Sequence, residues 1–256
     1  MIKVGTSGFD YEDWRGQFYP QRLPRKEFLA YYATHFAALE LNFSYYRLPD
    51  ARQLASMVER TEGRVEFAIK AHRSMTHERV ATAAEIAAFK RALIPLKEAG
   101  RLGAVLAQFP YSFHQIQENR EYLKRLADSL GPPLVVELRR ADWASEPILD
   151  WLRRIEVGYC CVDEPRLDGL MPPTAAATGA PGYVRFHGRN AAKWYEHDRP
   201  EERYDYRYRA AEIQEWVPAI RRLDEQLDKV LVFFNNHFQG KAVDAARMLE
   251  QLLLRG

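Results

Sequence analysis

Four pairs of polar residues stand two positions apart in this 256-residue chain, each within or at the end of an apolar run: Glu40/Asn42, Lys70/His72, Glu137/Arg139 and Arg185/His187. Side chains two apart on a strand share a face, so each pair can enter one site. Two carboxylates held in different surroundings can divide acid and base work, which makes Glu40 and Glu137 candidates for proton transfer. His187 and His72 suit a proton relay or a metal. Lys70, Arg139 and Arg185 suit an anion; the planar fork of Arg offers a carboxylate or phosphate two parallel hydrogen bonds. The competing reading is a mutually neutralising ion-pair layer, because an unpaired charge in a dry interior costs several kcal/mol.

The elements that must position these pairs are eight short runs: 2–8, 38–42, 65–72, 104–109, 134–139, 157–163, 183–188 and 229–236. Each is rich in Val, Ile, Leu or Phe without alternation, as strands buried on both faces are. Their ends put Ser7, Asn42, His72, Gln108, Arg139, Asp163, His187 and Asn236 at corresponding places. Helical patterns fall between most runs, at 24–37, 50–60, 82–99, 119–130, 145–156, 210–227 and 240–254. Asp50 caps the second of these, Thr82 and Glu85 form a capping box on the third, and Pro95 should divide that helix. Alternating strands and helices imply right-handed parallel crossovers, and eight strands close into a (β/α)₈ barrel with its site at the strands' carboxyl ends. The segment 164–181 is too rich in Pro and Gly for a helix, so an irregular excursion is expected after the sixth strand. No linker divides the chain, and residues 1–256 read as one α/β domain.

Composition excludes little else. With 37 basic and 35 acidic residues the net charge is +2, so any electrostatic specialisation must be local. No secretory signal or membrane-length apolar stretch is evident. The two cysteines, Cys160 and Cys161, are adjacent in the sixth run, which rules out a disulfide framework and fits a cytoplasmic location. Two buried strand thiols are a simpler reading than a redox pair.

The loops on the same rim are aromatic and basic: Tyr11, Trp14, Arg15, Phe18 and Tyr19 in the first, Tyr45, Tyr46 and Arg47 in the second, and Arg189, Lys193, Trp194, Tyr195, Arg199, Arg203, Tyr204, Tyr206, Arg207 and Tyr208 in the seventh. Interleaved rings and cations are what single-stranded nucleic acid needs; sugars also stack on aromatics, and packing across the barrel mouth would use the same residues. Glu40, Glu137, Asp163, His72 and His187 are suitable ligand types for a divalent metal, but no metal motif occurs and the neighbouring cations oppose a multi-metal cluster. GTSGF at 5–9 is not a nucleophile elbow, and neither a P-loop nor GxGxxG follows the first strand. Ser7 therefore reads as a hydrogen-bonding residue.

Six ordered strings, VGTSGFDYEDWRGQFYP, FLAYYATHFAALELNFSYYRLP, FAIKAHRSMTH, VELRRADW, YVRFHGR and FFNNHFQGKAVDAARML, resemble the YecE-like family, a domain of unknown function catalogued with the number 72. The resemblance runs from Val4 to Leu253 and implies a TIM-barrel-like fold without an assigned reaction. Its pattern falls on Ser7, Trp14, Glu40, Asn42, Tyr46, Lys70, His77, Glu137, Arg139, Arg185, His187, Arg189, Trp194, Tyr204, Asn235 and Asn236. It departs at His237, where an acidic residue is expected, and at Asp244, where Asn is common. The family's architecture is similar to endonuclease IV, an analogy of fold alone. The leading expectation is binding or hydrolysis of a phosphorylated small molecule or single-stranded nucleic acid. Arg139, Arg185 and Lys70 would hold the anion, and Glu40, Glu137 and His187 would move protons. A sugar isomerase or glycosidase-like enzyme, and a non-catalytic nucleic-acid-binding module, are the alternatives.

Overall fold

A computed structural model describes residues 1–255. The chain runs β1 (Ile2–Ser7), α1 (Phe28–Tyr32), β2 (Ala38–Leu41), α2 (Ala51–Arg60), β3 (Glu66–Lys70), α3 (Arg73–Thr76), α4 (Ala83–Ala92), α5 (Ile94–Glu98) and β4 (Leu102–Gln108). It continues with α6 (Gln117–Leu130), β5 (Leu134–Glu137), α7 (Glu146–Arg154), β6 (Gly158–Asp163), β7 (Gly182–Phe186), α8 (Ala210–Gln214), α9 (Val217–Gln226), β8 (Val230–Phe234) and α10 (Lys241–Leu254). The eight strands pair in chain order, all parallel, and β8 returns to β1 to close the barrel. This is the (β/α)₈-like α/β domain expected from the apolar runs.

Local chemistry explains most boundaries. Asp50 Oδ1 accepts from the backbone N–H of Arg52 at 2.9 Å and Gln53 at 3.1 Å, which starts α2. Thr82 and Glu85 complete their capping box at α4, and the helix stops at Leu93 before Pro95 opens α5. The 210–227 pattern breaks the same way, with Pro218 in the first turn of α9. The 24–37 pattern yields only a five-residue α1 after a 3₁₀ turn at Arg25–Glu27, a shorter helix than its aromatic spacing predicts. Between β6 and β7 no helix forms among the described residues. Residues 164–181 instead cross the rim, joined to the β5 loop by Ala141 N–H donating to Gly169 O at 3.0 Å.

Register decides which side chains enter the barrel. Ser7 lies beside Glu40, Glu40 beside Ala68, Lys70 beside Leu106, Gln108 beside Glu137, and Arg185 beside Phe233. Thr6, one residue from Ser7, turns outward and bonds Tyr32 OH of α1 at 3.0 Å. The opposite end of the barrel is closed by Glu66, which takes Lys3 Nζ at 2.6 Å and Lys229 Nζ at 2.7 Å. The interior thus carries a polar layer at each end, and the layer at the carboxyl end is the larger.

Candidate functional site

Arg185 stands at the centre of the carboxyl-end layer, fully buried. Its Nη2 donates to Glu40 Oε1 at 2.6 Å, and its Nη1 donates to Glu137 Oε2. Tyr183 OH donates to the other oxygen of Glu40 at 2.7 Å. Glu137 Oε1 faces Arg139 Nε at 2.8 Å and His187 Nε2 at 3.2 Å. Arg139 reaches on to Glu164 Oε2 at 3.0 Å, whose Oε1 accepts the Met171 N–H at 3.2 Å. His187 Nδ1 lies 3.1 Å from Asn235 Nδ2. That amide donates to Nδ1, so the ring proton belongs on Nε2, directed at Glu137.

The protonation states follow from this arrangement. Burial alone would raise the Glu137 carboxyl; the charges of Arg139 and Arg185 and the His187 proton outweigh it and hold it well below the usual carboxylate range. Burial pushes His187 down to about 3, against the opposing pull of Glu137, so the ring is neutral. Burial raises Glu164 to about 7, and Arg139 offsets only part of that. Lys70 falls to about 8 through burial and the nearby Arg185 charge, while His77 falls to about 4 through burial and Lys70.

These shifts carry a pH dependence. In the unfolded chain imidazole binds its proton near 6.5, whereas folded His187 does so only near 3. Its share of stability is therefore present above about 6.5 and falls as pH drops, by up to about 1.4 kcal/mol per pH unit. Glu164 works in the opposite sense between about 4.3 and 7, where the folded carboxyl keeps a proton that the unfolded one releases. Between about pH 6.5 and 4.3 the two slopes oppose each other, so His187→Gln should leave stability rising as pH falls and Glu164→Gln should leave it falling more steeply, both read from urea unfolding.

Above the buried network lies a cavity of about 340 Å³. His77, Gln108, Arg139, Trp194 and Tyr204 line it, so five expected site residues meet at the mouth. Tyr111, Tyr195 and Arg203 join them, with Pro110 and Leu170. Tyr204 lies 6.1 Å from the His187 ring and 6.4 Å from Trp194. Lys70 Nζ lies 4.6 Å from the Tyr45 ring centre, and Tyr45 packs edge-on against the cavity-lining His77 at 4.9 Å. Ser7 Oγ is buried and has no hydrogen-bond partner.

Other expected site residues lie elsewhere. Asp163 faces outward from β6, since the barrel's inner face takes Cys160 and Val162 in register with Tyr183 and Arg185. It accepts from Arg189 Nη2 at 2.7 Å, Tyr208 OH at 2.6 Å and Trp216 Nε1 at 2.7 Å, so Asp163 and Arg189 anchor the seventh loop. Asn236 also points away from the centre and donates to Tyr206 O at 2.9 Å. His72 caps α3 through Ser74 N–H at 3.3 Å. Trp14 is a core ring whose Nε1 donates to His237 O at 2.7 Å. Tyr46 is 72% exposed, outside the mouth cavity. Asn42 lines a separate cavity of about 490 Å³ between the first loops and α2. Both terminal nitrogens of Arg185 are taken by carboxylates while its buried Nε has no partner, and Glu40 and Glu137 share this one cation, Glu137 being held well below the usual carboxylate range. Of the two departures, His237 stacks on Tyr11 at 4.5 Å and Asp244 pairs with Arg207 at 2.6 Å.

Five functional candidates escape the pair pattern: Tyr183, Glu164, Tyr111, Tyr195 and Arg203. Glu164 is two residues beyond Val162 on the inner face, a signal readable only once the strand's facing is known. Among the described residues no three His, Cys, Asp or Glu side chains gather as a metal site. A divalent ion at Glu40 or Glu137 would have to displace Arg185, Tyr183 or Arg139. No helix of the described residues is long and apolar enough to cross a membrane.

The family model described as "Protein of unknown function DUF72" matches residues 3–255. The UPF0759 protein YunF of Bacillus subtilis is 32% identical over 270 residues, covering 99% of this chain and 95% of that protein. A crystal structure of a DUF72 family protein from Thermotoga maritima is 38% identical, with a TM-score of 0.92 and 99% of both chains covered. One from Enterococcus faecalis is 26% identical, with a TM-score of 0.87 over 99% of this chain and 96% of that one.

Proposed function

The chain belongs to the DUF72 family of proteins of unknown function, and from its own site we propose that it binds a small phosphorylated ligand at the barrel mouth. The observation that carries this reading is Arg203. Its guanidinium lies over the Trp194 ring, 5.5 Å from the centre, on the wall of the mouth cavity. Among the described residues it makes no ion pair, and its Nε is buried without a partner. Every central carboxylate is already engaged, so the uncompensated charge at the mouth is positive, from Arg203 and Lys70. A phosphate would meet Arg203, and Trp194, Tyr204, Tyr111 and Tyr195 would cover a sugar or base attached to it. The cavity, about 340 Å³, suits a mononucleotide or sugar phosphate rather than a length of strand.

Hydrolysis would draw on Glu164 and Lys70, because their protonation changes near neutral pH, rather than on Glu40 and Glu137. The reading is tested by calorimetric titration of sugar phosphates and nucleoside monophosphates against their unphosphorylated counterparts at low salt. At least one phosphorylated compound should bind ten-fold or more tighter than its counterpart. Equal affinities, or none, would dismiss the phosphate.

A further inference from the structure

Among the described residues, Lys70 is the one interior cation of the carboxyl-end layer without a counter-ion. It ends β3 on the inner face, level with Leu106 of β4. Two carboxylates lie near enough to act on it, but Arg185, Arg139 and Tyr183 hold their oxygens. No hydrogen bond or ion pair reaches its Nζ from the described residues, and its contact is the face of Tyr45. Arg185 and Arg139 act on it with like charge against Glu137 and Glu40, and His77, which lines the cavity, is neutral and adds none. A structural lysine in such a place would be expected to hold a carboxylate. This one holds nothing, and the ring it rests on packs against His77, which lines the cavity that also carries Arg203.

We propose that the Lys70 amine is a nucleophile that condenses with the carbonyl of a phosphorylated aldehyde or ketone. The proposal rests on the phosphate reading of the mouth: Arg203 would hold the phosphate and present the carbonyl to Lys70. The nitrogen lone pair forms the C–N bond as the C=O π pair moves to oxygen, and the proton that the nitrogen sheds passes to that oxygen, giving a neutral carbinolamine. That hydroxyl then leaves as water with one proton from Glu164, while the C=N bond forms as a protonated imine and Glu164 becomes a carboxylate. Burial, with the Arg185 charge beside it, lowers the ammonium's hold on its proton and makes the free amine accessible near neutral pH.

The test treats the full chain with one equivalent of pyridoxal 5′-phosphate, reduces with borohydride and maps the adduct by peptide mass spectrometry. Labelling at Lys70 at least ten-fold above any other lysine, suppressed by inorganic phosphate, is the expected result. Lys70→Met should remove it, and Lys70→Arg, which keeps the charge but offers no such amine, should remove it equally with the fold retained. Binding of the probe by calorimetry without label at Lys70 would overturn the imine and leave the phosphate site standing. Label at Lys70 that unphosphorylated pyridoxal matches would keep the amine and remove the phosphate. Label spread evenly over surface lysines with no bound probe would overturn both.

Discussion

Arg185→Met should destabilise the fold by about 3–5 kcal/mol, because it strands two buried carboxyl groups in the barrel interior without their shared cation. Arg185 is fully buried and is the one group that bridges Glu40 and Glu137, through separate nitrogens. Tyr183 and Arg139 would remain on the outer oxygens of the two carboxylates, but neither can replace the shared cation. Methionine fills most of the volume, so the loss reports charge rather than a cavity. Adding Glu40→Gln to Arg185→Met should recover part of the stability, since an amide is cheaper to leave without a cation. Urea unfolding reads both. A loss under about 1 kcal/mol would mean that water hydrates the network, contrary to a dry ion layer.

The second large effect is expected at a residue that touches no ligand. Asp163→Ala removes the acceptor for Arg189, Tyr208 and Trp216 at once and leaves buried donors unpaired, a loss of about 3 kcal/mol or more. Tyr208 in turn accepts the Gly188 N–H at 2.9 Å, at the point where β7 gives way to the seventh loop. Gly188 has φ +93°, and an added Cβ would stand 2.7 Å from Tyr206 Cβ, so the turn cannot shift without moving the loop. That loop carries Trp194, Arg203 and Tyr204. Asp163→Ala should therefore weaken phosphate-ligand binding as well as stability, whereas a folded variant with unchanged affinity would place the loop's anchor elsewhere.

The barrel was legible because its strands are uninterrupted apolar runs and its helix caps are chemically explicit, as at Asp50 and Thr82. The location of the site was legible for the same reason, since the carboxyl ends of parallel strands share one rim. Which residues face inward was not, because a run buried on both faces carries no period-two signal and its parity is free. Taking the last polar residue of a run selected Asp163 and Asn236, which face outward, while the inner positions belong to Glu164 and Asn235. Where the polar pair itself was the signal, at Glu137/Arg139 and Arg185/His187, both members do point inward. His72 fails because β3 ends at Lys70 and the chain turns into α3 before the alternation repeats.

Partnership was harder to read than position. Glu40, Glu137 and Arg185 are the residue types of an acid/base pair with an anion clamp, and also of a sealed ion layer; only the contacts tell these apart. The contacts here seal Arg185 and leave Arg203 and Lys70 open. Arg203 lies in a loop of many arginines, and sequence offers no means of separating it from Arg199 or Arg207.

Calorimetric titration of Arg203→Ala beside the unsubstituted protein, with the tightest phosphorylated compound, tests this division most directly. Loss of one charge-assisted contact, about 1.5–3 kcal/mol, predicts binding weakened some ten- to hundred-fold with the unfolding midpoint unchanged. Unchanged affinity in a folded Arg203→Ala protein would contradict the account and return the search for the ligand to the buried network.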